Sequence, residues 1–142
     1  MNFSHKTAIK RKKLSAPMRK LLKDGWIVGR SLDYGCGRGD DSYFLSMFRY
    51  DPHYFPVKPT GQFDTITCNY VLNVIESPNE RVEVLRIIKD LLTEKGNALI
   101  TVRNDIDNLR GYTKIGTWQG KIELNLPVVY RNSNFITYLM RK

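Results

Sequence analysis

The chain of 142 residues lacks any apolar run approaching the roughly 20 residues of a membrane-spanning helix, so no spanning segment is expected. Cysteine is scarce. Cys36 and Cys68 stand far apart without metal-type pairing, and they read as reduced thiols rather than as a disulfide or a zinc site; no metal is expected. The basic start runs into "KRKKLSAPMRK" instead of an apolar stretch, which does not support a secretory leader and leads to an expected cytoplasmic location. The pattern G-x-x-x-x-G-K-[ST] is missing as well, which removes a P-loop. Acids are absent from residues 1–23, where Lys6, Lys10, Arg11, Lys12, Lys13, Arg19, Lys20 and Lys23 all fall.

What is present fits one small domain, residues 1–142, with a basic arm at 1–23. A hydrophobic fraction of 42% is that of a folded chain. The net charge is +9, and eight of the nine excess charges lie in the arm, because the remaining 15 cations face all 14 acids. Such a block draws in a polyanion such as DNA or RNA through counterion release and long-range steering. The alternative is a solvated arm with no partner.

Along the chain, "LSAPMRKLL" from Leu14 to Leu22 reads as a short helix with Ser15 as N-cap, Pro17 in the first turn and Gly25 as the stop. "RSLDYG" is a short strand entering a glycine turn, and "DDSYFLSMF" reads as the helix that follows, with Phe44, Leu45 and Phe48 at helical spacing. "FRYD" is a short second strand, the proline-rich "DPHYFPVKPTGQ" a loop, and "FDTITCN" the clearest central strand. "SPNE" at Ser77–Glu80 is a capping box, with Pro78 at the first helical position. Val82, Leu85, Ile88, Leu91 and Leu92 form the expected buried stripe of that helix, and Gly96 its expected cap. "NALITV" is a buried strand, and "PVVYRNSNFITYLMR" two strands joined at "RNSN". The alternation argues for an α/β, Rossmann-like three-layer sheet, mostly parallel, closed by a C-terminal antiparallel strand.

The stretch "SLDYGCGRGDD" from Ser31 to Asp41 carries the chemistry. A glycine loop between strand and helix lets backbone approach a ligand at the carboxyl end of a sheet. Dinucleotide folds use G-x-G-x-x-G, whose helix N-terminus receives a pyrophosphate. Here Gly35, Gly37 and Gly39 follow G-x-G-x-G, and Asp40 stands where the third dinucleotide glycine would be. Two like charges about 4 Å apart cost on the order of 4 kcal/mol at an effective dielectric near 20, so Asp40 and Asp41 disfavour a phosphate. S-adenosylmethionine has no phosphate and carries a sulfonium and an ammonium, which suits a loop bordered by carboxylates. The competing reading is a tight turn whose acids merely favour a helix N-terminus.

The motif "DYGCGRG" resembles the first motif of class I S-adenosylmethionine-dependent methyltransferases, and "FDTITCNYVLNVI" with "NALITVR" resembles that family's fourth and fifth strands. More narrowly, "HKTAIKRKKLS", "DYGCGRGDD", "YDPHYFP", "NYVLNVIESPNER" and "TKIGTWQ" are similar to the bacterial DNA phosphorothioation-associated putative methyltransferases. The resemblance implies that Asp33 orders the loop or meets the methionine ammonium, and that Gly35, Cys36, Gly37 and Gly39 border S-adenosyl-L-methionine. It implies that Asp51 accepts from the ribose hydroxyls, with a turn-forming Asp before Pro52 as the alternative. Asn69 and Tyr70 would lie near the reactive methyl as catalytic residues, with Asn69 also touching the cofactor. Only twelve positions separate Gly39 from Asp51, against about 20 in nucleotide-binding folds, so the first helix and second strand must be truncated. The helix expected between Val102 and Pro127 has few helix formers to build it.

Methyl transfer from a sulfonium needs alignment in a dry site more than a strong base. The N/D-P-P-Y/F/W motif of exocyclic-amine methylases is replaced by "NYVL", so no target amine follows. Arg103, Trp118 and Gln119 are candidate substrate contacts, and His5 reaches the site if the arm folds over it. Their alternatives are an arginine paired with a carboxylate, a core tryptophan and a surface histidine. The reading that emerges is a methyltransferase acting on nucleic acid or a nucleotide-like substrate. Its alternatives are a non-catalytic nucleic-acid-associated protein on the same scaffold and a small-molecule methyltransferase.

Overall fold

The computed structural model describes residues 8, 12–106, 110–112 and 117–142. Eight strands and three α-helices occur among them. The main sheet has the order β2-β1-β3-β4-β8-β7, formed by β1 (Ser31–Tyr34), β2 (Phe48–Tyr50), β3 (Phe63–Asn69), β4 (Leu92–Arg103), β7 (Val128–Arg131) and β8 (Phe135–Arg141). The first four run parallel, and β8 is antiparallel to both β4 and β7. This is the α/β sheet that the alternation predicts. β5 (Arg110–Tyr112) and β6 (Trp118–Gly120) form a separate antiparallel pair where a helix was expected.

Side chains alternate across the sheet as the period of two requires. Leu32, Tyr34, Ile66, Cys68, Ala98, Ile100, Val102, Ile136 and Tyr138 build the larger core, and α3 (Pro78–Asp90) contributes Val84 and Ile88 to it. On the opposite face Leu99 and Leu139 meet Met18 and Leu21 of α1 (Ala16–Lys23). No helix of the described residues is long and apolar enough to cross a membrane.

Several local readings need correction. The helix after the glycine loop, α2 (Asp40–Phe44), ends after five residues. Ser46 takes a left-handed φ of 54° and Met47 N donates to Ser42 O at 2.8 Å, which turns the chain straight into β2. Phe44 and Phe48 are therefore exposed rather than on a buried stripe; Phe48 packs its edge on Phe63 at a centroid distance of 5.5 Å. In α3 the cap is half made: Glu80 N donates to Ser77 Oγ at 3.2 Å, and no described bond returns from the Glu80 carboxylate. Val84 and Ile88 are the buried positions, Leu85 and Leu91 are partly buried, Val82 faces solvent, and Leu92 is buried as the first residue of β4. Gly96 does not cap the helix but lies inside β4, where a Cβ would sit 2.9 Å from Phe63 O. The glycine is needed because β3 and β4 shift register and approach closely there.

Candidate functional site

The chain leaves β1 to form β2 on one side and then β3 on the other, so a crevice opens beyond the carboxyl ends of β1 and β3, the place where open α/β sheets bind ligands. The glycine loop occupies it. Gly35, Gly37 and Gly39 all have left-handed φ, at 82°, 58° and 80°. Tyr50 O holds the loop by accepting from Gly35 N at 2.7 Å and Cys36 N at 2.9 Å. A Cβ at Gly37 would stand 3.2 Å from the Ala8 methyl, and one at Gly39 would strike the Phe55 ring. The loop is thus hemmed in by residue 8 of the N-terminal segment and by the chain after β2.

Three carboxylates converge on this loop. Asp33 is buried, with Oδ1 accepting from Thr67 Oγ1 at 2.9 Å. Burial first, then the charge of Asp41, raises its pKa from 3.8 to about 7. Asp41 accepts two bonds from Ser15, from its backbone N at 2.8 Å and from its hydroxyl at 2.6 Å. Ser15 precedes α1 as expected, yet its side chain serves Asp41 instead of capping the helix. Asp51 is buried and accepts from Gly37 N at 3.0 Å, His53 N at 2.9 Å and Tyr54 N at 3.0 Å. Asp51 therefore makes the turn that was the alternative to its ribose role, and it also fixes the glycine loop. The half-buried Cys36 contributes backbone to the loop, and burial and Asp33 push its thiol pKa up.

Asn69 and Tyr70 lie one strand over. Asn69 is in register with Thr101 at the end of β3; its Nδ2 is 3.9 Å from Met18 Sδ, and its buried Oδ1 has no hydrogen-bond partner. Tyr70 holds a left-handed φ of 60° while its N donates to Thr101 O at 2.8 Å. A non-glycine residue there stores on the order of 1–3 kcal/mol, a cost that concentrates at functional sites. Arg103, at the end of β4, forms a two-pronged pair with Asp105, Nε to Oδ1 at 2.9 Å and Nη2 to Oδ2 at 2.8 Å, as the carboxylate-paired alternative describes.

Trp118 and Gln119 are placed differently. Trp118 is half-buried against the larger core, covers Gly120 and carries the Arg81 guanidinium 5.7 Å from its ring centre. Gln119 is buried, and its Oε1 accepts from Asn73 Nδ2 at 3.0 Å. Both residues have packing partners of their own, and they join β6 to the 3-10 turn Leu72–Val74. His5 and residues 113–116 lie outside the described residues. Sequence reasoning missed Thr67, Ser15 as the partner of Asp41, and Asn73. The alternating threonines of "FDTITCN" were a usable signal for Thr67, whereas no local signal pairs Asn73 with a residue 46 positions on.

These residues fit a cationic nucleoside on what they show themselves. A buried carboxyl is made harder to ionise by its surroundings, an amide oxygen at Asn69 lacks a donor, and three glycines keep alternate positions of the turn free of Cβ atoms. A cation beside Asp33 would relieve its desolvation, and a phosphate would meet three carboxylates.

The fold and site define the class, and comparison places the chain within it. Residues 7–125 match the family model for a methyltransferase domain, and the chain belongs to that family. It carries the domain of a methyltransferase, the class that the glycine loop and the sheet order had pointed to. Among solved structures it is similar to the "DhpI-SAM-HEP complex", at 14% identity over 89% of this chain and 85% of that one, with a TM-score of 0.63. It is similar also to the "DhpI-SAH complex structure", at 15% identity over 87% and 82%, with a TM-score of 0.60. At these identities the likeness shows the fold alone. No curated protein matches the chain.

Proposed function

We propose that this methyltransferase acts on nucleic acid or a nucleotide-like substrate, in line with its resemblance to the DNA phosphorothioation-associated group, and that the basic N-terminal segment delivers that substrate to the cofactor loop. One observation carries the reading: the segment that holds the excess positive charge is tied to the glycine loop, through both Ser15 bonds to Asp41 and through Ala8 against Gly37. Lys12, Lys13, Arg19, Lys20 and Lys23 flank that tie. A polyanion gathered there is held at the mouth of the crevice, where proximity converts a two-body encounter into an oriented one.

In this reading Asp33 and the backbone of Gly35, Cys36, Gly37 and Gly39 hold the cofactor, whose sulfonium supplies the activated methyl group. Asp51 keeps the loop in shape and has lone-pair capacity left for a hydroxyl. Asn69 and Tyr70 align the acceptor, Arg103 lies at the substrate edge, and Trp118 and Gln119 set the wall behind it. Radiolabelled methyl transfer to a panel of DNA, RNA and small molecules tests this. Label entering nucleic acid, with binding that weakens as salt rises and is lost on deleting residues 1–13, supports it. Label entering only a small molecule, indifferent to that deletion, assigns the small-molecule alternative.

A further inference from the structure

The glycine loop is fastened to the turn that follows β2, and that turn carries two aromatic rings. Asp51 accepts from Gly37 N, His53 N and Tyr54 N, Asp51 and Phe55 bridge backbone to backbone, and Phe55 stands where a Cβ on Gly39 would fall. Each ring bears a guanidinium. Arg38, from the loop itself, lies 5.5 Å from the Tyr54 ring centre, and Arg49, from β2, lies 4.0 Å from that of Phe55. Both arginines are exposed. A guanidinium over an aromatic face is held there by the ring quadrupole and keeps its N–H edge for other partners.

What those edges donate to separates this pair from other arginines of the chain. Arg19, Arg30, Arg81, Arg86, Arg103 and Arg141 each donate to a carbonyl or carboxylate oxygen. Arg38 and Arg49 make no such bond among the described residues. No acid of the described residues forms an ion pair with either one; Asp41 is taken up by Ser15, and Asp51 by three backbone N–H groups. Two guanidiniums held on rings, with their donor edges unused, match an anion that offers several acceptor oxygens. They also stand at the loop that Ser15 and Ala8 tie to the basic segment of a chain of net charge +9. We infer that Arg38 and Arg49 bind the phosphodiester backbone of a nucleic-acid strand along the solvent side of the glycine loop, continuing the track begun by Lys12 and Lys13. This rests on the nucleic-acid reading above and adds a second anchor to it, at the loop itself. Phosphate contacts fix the register of a strand without reading its sequence, so the pair positions a base for the crevice rather than selecting it.

Fluorescence anisotropy of the whole chain with a labelled single-stranded oligodeoxythymidine, across a salt series, tests the pair. Arg38→Ala and Arg49→Ala should each weaken binding about fivefold near about 0.1 M salt and lower the slope of log affinity against log salt by about 0.7, the value of one phosphate contact on a single strand. Arg38→Lys and Arg49→Lys, which keep the charge, should retain the slope. The alanine losses should be the same on oligodeoxyadenosine, with circular dichroism spectra like that of the parent. Inorganic phosphate at matched phosphate concentration should not displace the strand. Binding that is weakened by Lys12→Ala with Lys13→Ala yet indifferent to both arginine variants would overturn the inference and leave the nucleic-acid reading standing. An alanine loss confined to one base sequence, or displacement by inorganic phosphate at matched concentration, would overturn it equally. Absence of strand binding by the parent chain would sink the nucleic-acid reading itself, and this inference with it.

Discussion

The two faces of the sheet are built from different chemistry, although both are buried. Toward α3, the strands present Leu32, Tyr34, Ile66, Cys68, Ala98, Ile100, Val102, Ile136 and Tyr138. Toward α1, the same strands present Asp33, Thr65, Thr67, Thr101 and Thr137, each of them at most 3% exposed, with Leu99 and Leu139 as the apolar exceptions. The register sets Asp33 beside Thr67, then Asn69 beside Thr101 and Thr101 beside Thr137, so the polar groups form two adjoining rows near the carboxyl ends. Burying hydroxyls and a carboxyl contributes less than burying methyl groups and costs more if a bond is lost. One face holds the fold together, and the other is kept polar next to the glycine loop, where Asp33 meets Thr67.

The sharpest break of that comparison is Asp33→Asn. It should weaken S-adenosylmethionine by more than about 100-fold in titration, on the scale of losing a charge-assisted contact in a buried site. The same substitution should stabilise the protein without cofactor above neutral pH. The sign follows from the raised pKa: the folded state binds this proton more tightly than the unfolded chain, so stability present below the unfolded value of 3.8 is lost as pH rises through about 7. Urea unfolding at about pH 8 should show Asp33→Asn ahead of the parent by a few kcal/mol, with the gap closing toward about pH 4. Cofactor affinity of the parent should accordingly rise between about pH 6 and pH 8, as Asp33 becomes the anion that a cation requires. Loss of stability in Asp33→Asn at high pH would show that the carboxylate is structural.

On the apolar face, Ile88→Ala removes a fully buried side chain and should cost about 2–5 kcal/mol in urea unfolding. At concentrations of urea where the variant stays folded, its cofactor affinity should match the parent. Between these extremes lies the Thr101–Thr137 hydroxyl pair at 2.7 Å. Thr101→Val alone should cost about 1–3 kcal/mol by orphaning Thr137, and the double change to valine should recover most of it. Additive losses in that cycle would mean that the polar face is not a connected unit. The smallest effect is expected at Ser77→Ala, where loss of the α3 cap should lower stability by about 1 kcal/mol and leave cofactor binding untouched.

Much of this architecture was legible where the signals are local. The alternation of "FDTITCN" delimits β3 at Phe63–Asn69, Ser77 with Pro78 starts α3, and "RNSN" joins the final hairpin. The small spacing between Gly39 and Asp51 announced a truncated helix and strand, and both are short. The misread boundaries lie where pairing with a distant strand decides. Leu92 pairs with Phe63 in β4, which ends α3 before the expected glycine cap. Phe48 pairs with Leu32 in β2, which takes it off the predicted helix. At the site, Gly35, Gly37, Gly39 and Asp33 stand together because they are neighbours in sequence. Gln119 and Trp118 were offered as substrate contacts, and their burial against Asn73 and Arg81 depends on a packing that no window of sequence contains.

By itself the sequence determined the order of the elements, the glycine turn and the acids beside it, because chain direction, left-handed backbone and like-charge repulsion act over a few residues. Tertiary structure alone decided that Ser15 reaches Asp41, that Thr67 reaches Asp33, and that Asp51 turns its carboxylate to the backbone of the loop. Those pairings set how far each acid is desolvated and what charge it carries, and desolvation is a property of the surrounding packed atoms rather than of the residue.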